Sequence, residues 1–135
     1  MYFMKNRRDF LKNAAVLSAL PIASVVANQA KSKDLFIHHV FFYLKEDKPE
    51  NRAKLTEGLL KLSKVPQIKL FNIGEAANTT RSVIVRDYAI SWLCFFDNIE
   101  EEEIYQKHPI HLKFIEDYAY LWEKVNVYDA VGPRR

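Results

Sequence analysis

The run LFIHHVFFYLK, residues 35–45, is apolar on both of the faces that an extended chain presents, and few folds can accommodate that. Aromatic and β-branched residues dominate it, and it is short for a helix, so it predicts a β-strand. Alternation puts Phe36, His38, Val40, Phe42 and Leu44 on one face and Ile37, His39, Phe41 and Tyr43 on the other. The run YAISWLCFFD, residues 88–97, has the same character. A sheet with one face in water needs polar residues at every second position. These strands lack them, so both faces of the sheet they form require cover.

The intervening segments supply cover for one face. Pro49 opens a helix over 49–64 in which Leu55, Leu59 and Leu62 form a stripe, and Pro66 marks its end. QIKLFNIGE, 67–75, reads as a strand, and a loop through AANTTRS leads to the strand at 88–97. Asp97 or Asn98 caps a short acidic helix, each standing three residues before a glutamate. Pro109 opens a longer helix with Leu112, Ile115, Ala119 and Trp122 in one stripe, widened by Phe114, Tyr118 and Leu121. VNVYDAV, 125–131, alternates as the last strand. The order predicts an α+β, ferredoxin-like βαββααβ protomer with a four-stranded antiparallel sheet and helices on one face. The bare face, at about 25 cal/mol per Å² of apolar area, is an association surface. A second copy related by a two-fold axis is its natural cover, which predicts a homodimer whose two sheets make an α/β barrel.

The N-terminus reads as an address rather than as structure. Arg7 and Arg8 precede Phe10, Leu11 and Lys12, and an apolar stretch runs from Ala14 to Val26, broken by Pro21. The pattern resembles a twin-arginine export signal, with Asn6 where Ser or Thr is usual. It is too short for a membrane span of about 20 residues, and it holds no cysteine for a lipid anchor. The expected organisation is a signal peptide over 1–27, cleaved after Ala27 or, as second choice, Ala30. A short linker over 28–34 and one domain over 35–132 follow. Export by the twin-arginine machinery to the periplasm follows from that signal, with no stable membrane anchor after cleavage. The signal carries four Lys/Arg and one Asp, so its removal takes the net charge from +3 to zero. With no basic excess left, nucleic acid is not an expected partner. The single cysteine, Cys94, has no internal disulfide partner and reads as a small buried hydrophobe.

The chemistry-bearing stretch is YQKHPIH, residues 105–111, which holds two of the four histidines. His108 before Pro109 reads as a helix cap, and Tyr105 as a packing aromatic. His111 stands one position before the apolar stripe, where an imidazole can face a cavity. His38 shares a face with Phe36, Val40 and Phe42, while His39 faces the dimer seam. His108, His111 and His38 do not make a metal site on spacing: no Asp, Glu or Cys closes the set, and Pro109 upsets the geometry of an i, i+3 pair.

The segments IHHVFFYLKED, YAISWLCFFD, YQKHPIHLKF and WEKVNVYDAV together resemble the Dabb family, the stress-responsive α/β-barrel domains, over roughly residues 36–131. The resemblance implies a ferredoxin-like protomer and a dimeric barrel. It also implies a site, because one plant branch of the family is a polyketide cyclase that closes a linear tetraketide by aldol condensation. Its tyrosine falls on Tyr105, its base on His111 and its first-strand histidine on His38, whereas its third-strand histidine corresponds to Ile90. Such chemistry needs a base near neutral pH and a hydroxyl to steady an enolate, and no cofactor. Two functions stand side by side: a homodimer binding a small apolar ligand, and a cofactor-free lyase or cyclase with His111 as base and Tyr105 as orienting group.

Overall fold

A computed structural model describes residues 34–135. The signal expected over 1–27 and, apart from Asp34, the linker over 28–34 lie outside the described residues. The elements are β1 (Asp34–Leu44), α1 (Pro49–Leu62), β2 (Leu70–Gly74), β3 (Ile90–Phe96), α2 (Ile99–Lys107), α3 (Pro109–Tyr118), a 3₁₀ turn (Ala119–Leu121) and β4 (Trp122–Pro133). The strands lie in the order β2-β3-β1-β4, each pair antiparallel. This is the expected βαββααβ order, the ferredoxin-like plan with one further helix before the last strand.

β1 is central, and its two faces meet different fates. Phe36, His38, Val40, Phe42 and Leu44 are buried, while Ile37, His39, Phe41 and Tyr43 are half-buried. On the buried side the register brings Ile90, Trp92, Cys94 and Phe96 of β3 beside them. Leu55, Leu59 and Leu62 of α1, with Phe114 and Tyr118 of α3, complete the core. Each such side chain withdrawn from water contributes about 1.5–3 kcal/mol. None of the described helices covers the other face. There Phe41 packs against His39, Tyr88 and Tyr128 at ring separations of 4.2, 4.8 and 5.8 Å. Leu70 and Tyr128 stand 62% and 63% exposed at its two edges.

α1 and α3 cross closely because Gly58 has no side chain. A Cβ there would lie 2.8 Å from Cγ and Cδ2 of Tyr118, inside contact distance. Gly58→Ala is therefore expected to destabilise the protein by about 1–2 kcal/mol, overpacking outweighing the gain of about 1 kcal/mol in helix propensity. Urea denaturation checks this, and a rise in midpoint would disprove the close crossing.

Several details differ from expectation. α1 ends at Leu62, with Ser63 as its C-cap, ahead of Pro66. β2 is shorter than 67–75 and β4 longer than 125–131. The stripe on α3 is rotated: Phe114 and Tyr118 are buried, but Leu112 and Ile115 are 57% and 41% exposed, and Trp122 begins β4. Contact with Gly58 and with Phe42 selects the Phe114–Tyr118 side, a choice that periodicity alone left open. Of the two caps expected for α2, Asn98 is the one used, its side chain accepting from the Glu101 N–H at 2.9 Å.

Candidate functional site

The site grows from the pairing of β1 with β4. Their register sets His38 opposite Asp129, and His38 Nδ1 lies 2.7 Å from Asp129 Oδ1. A carboxylate only accepts, so Nδ1 carries the proton of this bond, and Nε2 is the nitrogen with no partner among the described residues. Glu102 Oε1 lies 4.0 Å from the same Nδ1. Glu102 is 7% exposed and receives a hydrogen bond from Gln106 Nε2–H at 2.5 Å.

α2 delivers Tyr105 into the core at 1% exposure. Its Oη accepts the Trp92 Nε1–H at 3.1 Å, and its ring lies 5.7 Å from that of His38 and 4.7 Å from that of His111. Burial, first, and the neighbouring Cys94 and Glu102 hold its phenol far above the ordinary range. It is a neutral hydroxyl that can donate, not a phenolate.

His108 makes the break that the site needs. It is extended, ends α2, and starts α3 by accepting the Ile110 N–H on Nδ1 at 3.1 Å. Pro109 occupies the first turn, where its missing N–H costs nothing. The redirected helix returns His111 toward Tyr105, and His111 Nδ1–H donates to the Gln106 carbonyl at 3.0 Å. The bare nitrogen of the neutral ring is then Nε2. Burial lowers the pKa of His111, the Gln106 bond opposes this, and the nearby His38 lowers it further.

His38, Tyr105, Gln106 and His111 share one cavity of about 200 Å³. Val40, Phe42, Leu62, Trp92, Phe114, Ile115, Trp122, Val125 and Val127 supply its apolar walls. Pockets for drug-sized ligands span roughly 300–1,000 Å³, while an engineered cavity of about 150 Å³ holds benzene. The space therefore suits one ring with a short substituent.

The three candidate residues from the sequence thus meet in one chamber, and His39 and Cys94 stand outside it. Cys94 is fully buried beside His38 in the register, and desolvation pushes its thiol well up. Trp92, Glu102, Gln106 and Asp129 were not anticipated as site residues. Asp129 lies in an alternating strand, and only the register of β4 reveals its partner. Glu102 is one of four successive glutamates, and nothing in that run distinguishes the buried one. Among the described residues no three His, Cys, Asp or Glu side chains are grouped to hold a metal.

The lowered pKa of His111 has a consequence for stability. The unfolded chain takes up its proton near pH 6.5 while the folded protein resists, so the unfolded state binds more protons below about that pH. Stability is expected to fall as pH drops from about 6.5 through the folded pKa. His39, lowered mainly by burial and then by His38, acts in the same direction. Urea midpoints between about pH 7.5 and pH 5 check this, and His111→Gln is expected to flatten the slope.

The fold is shared with solved structures of low sequence similarity. A Dabb family protein with a ferredoxin-like fold from Mesorhizobium loti is 23% identical, with a TM-score of 0.59 over 73% of this chain and 96% of that one. A dimeric ferredoxin-like protein of unknown function from Thermobifida fusca is 17% identical, with a TM-score of 0.59 over 73% and 91%. The hydroxynitrile lyase from Passiflora edulis is 17% identical, with a TM-score of 0.59 over 72% and 92%. Among curated proteins, no sequence matches the chain significantly. The profile of the stress responsive A/B barrel domain matches residues 36–131, nearly all of the described residues, and the chain belongs to the Dabb family.

Proposed function

We propose that the protein is an exported homodimer in which each protomer holds a small, mainly apolar guest. One observation carries the guest: a cavity of about 200 Å³ whose apolar walls are interrupted by four polar side chains converging from β1, α2 and α3. An apolar chamber with a few placed polar groups is the usual form of a small-molecule site. The uncovered aromatic sheet face supports the homodimer, as does the dimeric state of the Thermobifida fusca relative. The paired arginines and the apolar run of residues 1–27 support export. Arg7→Lys with Arg8→Lys is expected to retain the protein in the cytoplasm, read by cell fractionation. Unchanged export by that double variant would remove the twin-arginine assignment.

A second reading, cofactor-free lyase or cyclase chemistry, is favoured by the neutral Tyr105 hydroxyl and the bare His111 Nε2 lining the same chamber. His111 would take the proton, and Tyr105 would donate to the oxygen on which charge develops. The His38–Asp129 pair adds a second oriented imidazole. The chamber is small for a linear tetraketide and better matched to cleavage of a one-ring substrate; a relative of this fold is a hydroxynitrile lyase.

Mass spectrometry of what co-purifies with the protein tests the guest, and an empty chamber after native purification counts against it. With a turned-over compound in hand, His111→Ala is expected to lower the rate about 10²–10⁴-fold. Tyr105→Phe should do so too, at a stability cost of about 1–3 kcal/mol because Trp92 Nε1–H loses its acceptor. Unchanged turnover in both variants would leave the binding role alone.

A further inference from the structure

The polar groups of the chamber are unequal in kind. Tyr105 brings a donor: its Oη accepts from Trp92, and its own proton has no acceptor among the described residues. The others bring acceptors. Nδ1–H of His111 is committed to the Gln106 carbonyl and Nδ1–H of His38 to Asp129, so each ring, when neutral, offers Nε2 as a lone pair. Gln106 would be ambiguous, because an amide presents either end. Glu102 removes the ambiguity. A carboxylate accepts only, so Gln106 must turn its NH₂ to Glu102, which leaves its carbonyl oxygen as the end available to a guest. Among the described residues no lysine or arginine lines the chamber, and the carboxylates of Glu102 and Asp129 stand behind His38.

We infer that the chamber selects neutral guests that donate a hydrogen bond, such as a small alcohol, phenol or enol on an apolar body, and rejects carboxylates. Glu102 sets this preference as a positioning residue acting through Gln106. A carboxylate guest would face three acceptors and two nearby carboxylates, with one hydroxyl and at most the second N–H of the Gln106 amide to satisfy it. Burying a charge with so little compensation is costly, whereas a hydroxyl guest satisfies one acceptor and accepts from Tyr105. The inference rests on the chamber holding a guest, and its test separates the two claims.

Benzyl alcohol and benzoate, of nearly equal size, are titrated into the purified protein at about pH 8, above the ordinary histidine range, with binding read by calorimetry. Benzyl alcohol is expected to bind at least about tenfold more tightly than benzoate. Benzoate binding as well or better would overturn the inference and leave the guest chamber standing. If neither these probes nor benzene bind, the chamber reading itself fails, and the inference with it. Glu102→Gln, which allows both amides to turn, is expected to narrow the ratio severalfold while the melting temperature changes little. An unchanged ratio in that folded variant would end the role of Glu102. Should Glu102→Gln not fold, Gln106→Met takes its place: weaker binding of benzyl alcohol is expected, and an unchanged affinity excludes Gln106 and with it Glu102.

Discussion

Phe41→Asp is expected to leave the protein monomeric. Phe41 lies in the middle of the uncovered sheet face, with His39, Tyr88 and Tyr128 around it, and points away from the core formed by Phe36, Val40 and Phe42. The substitution therefore spares the packing that holds the protomer together. In a sheet-to-sheet dimer it places a carboxylate from each copy in the aromatic surface formed by His39, Tyr88 and Tyr128. Leaving a buried charge uncompensated costs several kcal/mol, about 3–5 where it has been measured for broken buried pairs. That is a loss of two to three decades or more in association. Sedimentation should show the mass halve while far-ultraviolet circular dichroism is retained. A wild-type protein that is already monomeric at micromolar concentration would refute the sheet-to-sheet dimer outright.

The second large effect lies on the other side of the sheet. Trp92 is 1% exposed and joins the core to the site: its indole packs 5.5 Å from Phe71, and its Nε1–H holds Tyr105 Oη. Trp92→Ala is expected to cost about 3–5 kcal/mol, the usual figure for deleting a buried aromatic. Total stabilities of about 5–15 kcal/mol make this a large fraction, enough to unfold a marginal domain. Trp92→Phe separates packing from hydrogen bonding. It keeps most of the apolar volume but leaves Tyr105 Oη without its donor, so a smaller loss of about 1–3 kcal/mol is expected. Equal losses in the two variants, measured by urea unfolding, would show that the Trp92–Tyr105 bond and not the packing dominates.

How much of this was legible beforehand depends on the range of the forces involved. Local signals worked. Proline at the start of α1 and α3, a polar cap before the acidic run, and alternation in β1 each act within a few residues, and each appears in the structure. The stripe on α3 did not come through. Leu112 and Phe114 both belong to apolar sets at helical spacing, and only the crossing at Gly58 decides which turns inward. The site divides in the same way. Tyr105, His108 and His111 stand together in the chain, so their relation was visible as a motif. Asp129 reaches His38 across 91 positions, and that contact exists only once β4 pairs beside β1.

The order of strands and helices, the two-faced character of β1 and β3, and the break at His108–Pro109 were written into the chain, because side-chain alternation and backbone sterics are local properties. The choice of buried glutamate, the tautomers of two imidazoles and the size of the chamber were not. They depend on which atoms the register and the helix crossing bring within about 3 Å of one another, and hydrogen-bond geometry at that range is decided only after the sheet and helices have closed.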